Sequence, residues 1–303
     1  MRYASWGIII DDIVFPDGRT AMGQLGGGGL YAALGMRVWS PDVGIVAAVG
    51  ADFEREPIER LGLDSSGVFT TALPTPRAWQ LFEEDGTRTQ IPRVLLEAWC
   101  AQLVLSPTPQ TIPATVQAAH SLGRGDPEEG ELVAALAAAG VRLSAEPVID
   151  SSITGEERAL LLQMMAHYEF FSPGHKEAEL LVGPRSALDL LRALADYGPR
   201  IVALRQGAAG SLVYGREQDR FWQVPPAEAR VVDVTGAGNA YCGGFLVGLV
   251  EQGEIPPAAA CAAVSAALML EQVGPPSITP EVEAEAWRRH ARALAGIRLL
   301  ERG

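Results

Sequence analysis

Cysteine is scarce in this chain. The three present, Cys100, Cys242 and Cys261, lie far apart and form no CxxC pair. They suggest neither a zinc site nor a disulfide framework, and three free thiols fit a reducing compartment. Positive charge is also short: 24 lysines and arginines stand against 37 aspartates and glutamates, for a net charge of −13. So acidic a surface repels phosphate backbones and anionic lipid headgroups, which argues against nucleic acid or a membrane as partner. A small anionic ligand can still be held in a local pocket. No hydrophobic run reaches the ~20 residues of a membrane span. The two most apolar stretches, 240–250 and 257–270, are rich in small residues and read as buried helices. The N-terminus enters a strand-like segment without a signal peptide's apolar core, so a cytoplasmic protein is expected. Internal repeats and low-complexity linkers are lacking as well, and Gly123–Gly130 reads as an exposed loop.

Hydrophobic residues are plentiful, at 48% of 303. That is enough to build one large α/β domain, and no segment has the composition of a disordered one. Short apolar runs suited to strands occur at 7–10, 43–49, 148–150, 170–172, 200–204 and 211–214. Helical patterns fall at 30–39, 128–139, 156–168, 176–181, 186–197, 238–251, 258–272 and 281–299. The alternation predicts a mostly parallel sheet with helices on both faces. Such sheets bind ligands at the carboxyl ends of their strands. Two extended segments depart from it, at about 12–24 and 68–93, the second with a hairpin turn at Glu84-Asp85-Gly86. They are expected to pair into a small β lid within a single domain spanning 1–303.

The strongest chemical signal runs from Val231 to Phe245. A short apolar run with Asp233 meets Gly236-Ala237-Gly238, which opens into an apolar helix carrying Gly243-Gly244-Phe245. Glycines at such a turn let backbone N–H groups converge on an anion, and the helix end adds its positive dipole. The glycine runs do not fit a dinucleotide fingerprint: 26–30 lacks the Gly-x-Gly-x-x-Gly register, and no acidic residue follows at the proper distance.

These residues resemble a family. Asp233-Val234-Thr235-Gly236-Ala237-Gly238-Asn239 is similar to the second signature of the ribokinase, or PfkB, carbohydrate kinases, which ends in Asp where this chain has Asn239. Other pieces resemble the family in order. Gly7 to Asp12 is similar to its opening strand, with Asp12 at the sugar-binding aspartate. Gly26 to Ala33 is similar to its Gly-Gly motif, with Tyr31 in place of Asn. Val49-Gly50-Ala51-Asp52 and Pro173 to Glu179 follow, the latter with Gly174 for Asn. Arg205 to Gly210 resembles a Thr-Leu-Gly-x-x-Gly nucleotide loop, and Gly274-Pro275 closes the series. Tyr31, Asn239 and the Ile-Asp-Asp run look most like the branch containing the fungal maintenance-of-killer proteins.

The resemblance implies a ribokinase-like fold, with ATP and Mg²⁺ as cofactors and a small hydroxylated substrate. It implies that Gly236, Ala237 and Gly238 stabilise the transferring phosphate. Asp12, Gly27, Gly28 and Tyr31 would meet the substrate. Arg205, Gly207 and Gly210 would lie along the nucleotide, and Glu177 would help hold Mg²⁺. A homodimer joined through the lid is within the family's habit. Asn239 occupies the family's general-base position, and an amide takes no proton near pH 7. General-base help is typically worth about 10²–10⁴ in rate, yet phosphoryl transfer depends mainly on positioning and electrostatics. Two readings follow: a slow ATP-dependent kinase of a sugar, nucleoside or related alcohol, or a pseudokinase serving as a nucleotide-binding, metabolite-binding or protein-interaction module.

Overall fold

The computed structural model describes residues 1–84, 88–105 and 107–300. Among these, the main sheet has ten strands in the order β14-β13-β12-β11-β10-β9-β8-β1-β4-β5. The strands are β1 (Tyr3–Trp6), β4 (Val43–Val49), β5 (Asp64–Thr70), β8 (Ala118–Gly123), β9 (Arg142–Pro147), β10 (Phe170–Phe171), β11 (Ile201–Arg205), β12 (Ser211–Gly215), β13 (Arg220–Val224) and β14 (Arg298–Leu300). From β5 to β11 every neighbouring pair is parallel, and β12, β13 and β14 add an antiparallel edge. Every residue of β1 and β4 is buried, as expected for parallel strands covered on both faces.

A second sheet holds β2 (Ile9–Val14), β3 (Thr20–Gly26), β6 (Arg77–Phe82) and β7 (Arg88–Pro92), ordered β3-β2-β6-β7. This small sheet matches the expected lid strands, with shifted bounds. Residues 68–70 belong instead to β5, because Val68 is buried against the main sheet. The expected strand at 7–10 is divided: Gly7 takes φ +94° and turns the chain from β1 of the main sheet into β2 of the small one. The turn at Glu84-Asp85-Gly86 lies mostly outside the described residues. The expected strand at 148–150 is displaced, because Leu143 and Ala145 of β9 are buried whereas Val148 is exposed.

The helices are α1 (Gly28–Arg37), α2 (Glu56–Arg60), α3 (Leu96–Leu105), α4 (Pro127–Ala138), α5 (Gly155–Met164), α6 (His175–Val182), α7 (Ala187–Ala195), α8 (Ala237–Gln252), α9 (Ile255–Leu270) and α10 (Pro280–Gly296). Helices α1 and α8 cross at backbone contact distance. A methyl group on Gly243 would stand 2.0 Å from the Ala32 carbonyl oxygen, and one on Gly35 would stand 2.2 Å from that of Ala240. Helix α9 comes as close to α8, a methyl group on Gly248 standing 2.8 Å from the Ala258 Cα, so small residues let both apolar stretches pack as buried helices. Among the described residues, no helix is long and apolar enough to cross a membrane.

Strand order reverses at β1. The chain builds outward from it through β4 to β5 on one side and from β8 to β11 on the other. Such a switch point leaves a crevice at the carboxyl ends of the strands, and the candidate site lies there.

Candidate active site

The carboxyl ends of β1, β8, β9 and β11 bring separate parts of the chain together. After β1, the glycine-rich segment passes so close that a methyl group on Gly29 would meet the Trp6 carbonyl oxygen at 1.9 Å. Gly27 takes φ +101°, a conformation that turns β3 into α1. A methyl group on Gly28 would stand 2.8 Å from Nδ2 of Asn239 and 2.9 Å from Leu122 at the end of β8. The glycine segment and the start of α8 therefore share one wall of the crevice.

The turn before α8 is built from Gly236, which caps the helix with φ +76° and no side-chain bond. A side chain there would be strained and would strike the Tyr31 ring, 2.0 Å from the position of Cβ. Tyr31 is itself only 3% exposed, so its ring floors the turn rather than lining open space. Burial first, then Asp233 and Asp11, holds its hydroxyl neutral well above the usual range. Asp233 accepts from the backbone N–H and hydroxyl of Thr235, at 2.9 and 2.8 Å, and so shapes the turn. Ala237, Gly238 and Asn239 form the first turn of the helix, whose N–H groups have no partner within it. Asn239 holds the third helical position, with its amide toward Gly28.

The two aspartates of β2 point to opposite sides, as strand alternation requires. Asp12 is fully buried beneath the small sheet. It accepts from the Gly23 N–H at 2.7 Å and pairs with Arg77 at 3.1 Å and with Arg93. Burial pushes its carboxyl up, but the Gly23 bond and the two guanidiniums outweigh it and hold the group below the ordinary range. The geometry makes Asp12 a clamp between strands. Asp12→Ala should lower stability by roughly 1–3 kcal/mol, since the partly exposed arginines regain water once freed. Urea unfolding measures this, and an unchanged midpoint would discard the clamp.

Asp11 faces the glycines. Its Oδ2 lies 1.9 Å from where a Cβ on Gly26 would stand, and it accepts from Gln80 Nε2 at 2.7 Å. Burial raises its carboxyl to about 6, against the opposing pull of Gln80, Arg88 and the Gly27 N–H.

On the other flank, Arg205 ends β11 and reaches across the sheet. Its NH1 donates to Glu146 at the end of β9, 2.5 Å away, and its NH2 to Glu177 of α6, 3.4 Å away. A methyl group on Gly238 would lie 2.1 Å from the same NH1. The guanidinium thus stands beside the Gly236–Gly238 turn. Burial pushes Glu146 up, with Arg205 opposing and Glu177 adding to the rise. Glu177 also accepts from the Gly174 N–H at 2.6 Å, closing the first turn of its helix. Behind the pair, burial and then Arg205 push buried His120 down to about 3, leaving a neutral imidazole against Ser144.

Gly174, His175, Lys176, Glu177, Arg205 and Gln206 line a cleft of about 470 Å³. Lys176 is the single lysine of the chain. Gly207 (φ +57°) has open space around it, whereas a methyl group on Gly210 would strike the Val224 carbonyl oxygen at 2.1 Å. Gly207 is free to meet a ligand, and Gly210 is explained by packing on β13. Sequence reasoning missed Glu146, His120 and Lys176. Glu146 and His120 sit in strands whose neighbours are unremarkable, and only the sheet order brings them to Arg205.

Comparison with known proteins gives the family and the fold. The profile of the pfkB family carbohydrate kinases matches residues 16–281. The chain belongs to this family. It is 29% identical over 244 residues to a cytidine kinase of Thermococcus kodakarensis, covering 80% of this chain and 85% of that one. Among solved structures, an E. coli structure of the ribokinase type, in complex with ATP and Mg²⁺, superposes with a TM-score of 0.76 at 19% identity, covering 96% of this chain and 99% of that one. A nucleoside kinase of Burkholderia thailandensis in complex with inosine superposes with a TM-score of 0.74 at 19% identity, covering 97% and 98%. The fold is ribokinase-like, with a separate small sheet beside the main one.

Proposed function

We propose that this PfkB-family chain transfers the γ-phosphoryl group of ATP, taken up with Mg²⁺, to a hydroxyl of a small sugar, nucleoside or related alcohol. The observation carrying this reading is convergence. The buried Asp11 carboxylate, the Gly26–Gly29 wall and the Gly236–Gly238 turn meet at one switch-point crevice, with a cleft of about 470 Å³ beside them. Relatives that act on cytidine or bind inosine put nucleosides first among substrates to screen.

Asp11, rather than Asp12, accepts hydrogen bonds from the acceptor's hydroxyls, because Asp12 is committed to Arg77 and Arg93. The Gly27 and Gly28 backbone lets the acceptor approach Asn239. First-turn N–H groups of α8 at Gly236–Asn239 receive charge on the transferring phosphoryl group. Glu177 would help hold Mg²⁺, whose role is to neutralise phosphate charge. Among the described residues no group of three or more His, Cys, Asp or Glu is placed to cage a metal. That fits an ion bound by phosphates, water and one or two carboxylates. Asn239 accepts a hydrogen bond from the attacking hydroxyl but not its proton, which leaves by way of water or the phosphate itself. The enzyme is therefore slow. The same residue motivates the second reading, a pseudokinase that binds nucleotide or metabolite without turnover.

The test begins with binding. MgATP at about a hundred times its Kd should add roughly 2.7 kcal/mol of stability, read as a rise in Tm. Mg²⁺ alone should shift Tm little, because Arg205 already pairs with both Glu146 and Glu177. No shift with millimolar MgATP and no calorimetric heat would sink both readings. Phosphate transfer to any nucleoside or sugar then separates kinase from pseudokinase.

A further inference from the structure

We propose that Arg205 reads the terminal phosphate of the nucleotide, so that the chain distinguishes ATP from ADP through a guanidinium fixed beside the anion turn. The inference rests on the kinase reading and goes beyond it, from a nucleotide-side residue to the group it touches.

Position comes first. The NH1 atom lies 2.1 Å from the place of a Cβ on Gly238, the second residue of α8, so guanidinium and helix end present positive charge to the same spot. Nothing larger than glycine fits between them. The backbone is fixed too: the Arg205 N–H donates to the Pro173 carbonyl at 3.0 Å, beside a parallel bridge to Gly174.

The donor count comes next. A guanidinium has five N–H donors in a planar fork. Glu146 takes one from NH1 and Glu177 one from NH2, the latter at 3.4 Å. The Nε–H is buried without a partner. Donors on both terminal nitrogens therefore remain beyond those spent on the carboxylates, and forked donation to phosphate is what arginine does best.

Charge supplies the reason. Compared with the family pattern of Thr in the nucleotide loop and Asp at the base position, this chain has Arg205 and Asn239. One positive charge is gained and one negative charge lost around the transferring group. A terminal phosphate carries the most charge of the chain of phosphates, and its three equatorial oxygens collect charge during transfer. The altered pair shifts the site toward holding that group tightly.

The test is nucleotide selectivity. Calorimetry with Mg²⁺ compares a non-hydrolysable ATP analogue and ADP on wild type, Arg205→Lys, Arg205→Met and the double variant Arg205→Met/Glu146→Gln. The double variant removes the carboxylate that Arg205→Met would leave buried and unpaired, so it decides the matter if the single variant fails to fold. Hydrogen bonds to a charged group imply a loss of roughly ten- to a hundredfold in affinity for the ATP analogue. ADP affinity should change by less than about threefold, and Arg205→Lys should fall between. A purely structural ion pair would weaken both nucleotides equally or neither, and either result overturns the inference while leaving the kinase reading standing. A wild type that binds neither nucleotide overturns both.

Discussion

Asn239→Asp should speed phosphoryl transfer by roughly one to three powers of ten, within the usual contribution of a general base. The substitution changes almost no volume. It places a proton acceptor in the first turn of α8, beside Gly28 on the same wall of the crevice. The helix end favours a carboxylate there, which keeps it ionised and ready to take the hydroxyl proton. A new negative charge also repels the triphosphate. Arg205, next to Gly238, and the metal bound with the nucleotide offset much of that repulsion. Single-turnover transfer with the best-binding nucleoside or sugar gives the rates of both proteins. A faster variant supports a kinase slowed by its asparagine. A brisk wild type with a slower variant would mean that the asparagine amide itself works in a different mechanism. No turnover in either protein would favour the pseudokinase.

Asp11→Asn should trade substrate affinity for stability. The carboxyl titrates at about 6 in the folded chain, raised chiefly by burial, against about 3.9 when unfolded. A raised carboxyl means that the folded state keeps its proton longer than the unfolded state does. Stability should therefore fall as pH rises from about 4 to about 6, and the penalty persists above that window. At pH 7.5 it is on the order of 2–3 kcal/mol. Asparagine removes the charge and still accepts from Gln80. The variant should melt higher at pH 7.5 and lose most of the pH dependence between 4 and 6. Its affinity for the acceptor should drop roughly ten- to a hundredfold, the worth of hydrogen bonds to a charged group. A variant that is less stable at pH 7.5 and binds acceptor as well as wild type would make Asp11 a structural carboxylate.

Much of this was legible in the residues alone, and for local reasons. The Gly236-Ala237-Gly238 turn can be read because only glycine tolerates φ +76° with the Tyr31 ring pressed against it. The buried helices α8 and α9 are visible as long apolar stretches of small residues, and the parallel sheet as alternating strand and helix patterns. These signals depend on neighbours in sequence. Strand β8, by contrast, is Ala-Ala-His-Ser-Leu-Gly, a run with little strand preference of its own. It is a strand because β1 and β9 pair with both of its edges and helices α1 and α8 pack against it, leaving nearly all of its residues buried. The choice between Asp11 and Asp12 was equally invisible. Two adjacent aspartates look alike in a sequence, and only the pleat of β2, packed on Arg77 and Arg93, sends one into a clamp and the other toward the glycines. Arg205, Glu146 and Glu177 lie 59 and 28 residues from one another in pairing. No periodicity links them. The order of β9, β10 and β11 carries those three side chains to one place, which makes the charge beside the Gly236–Gly238 turn a property of the tertiary structure.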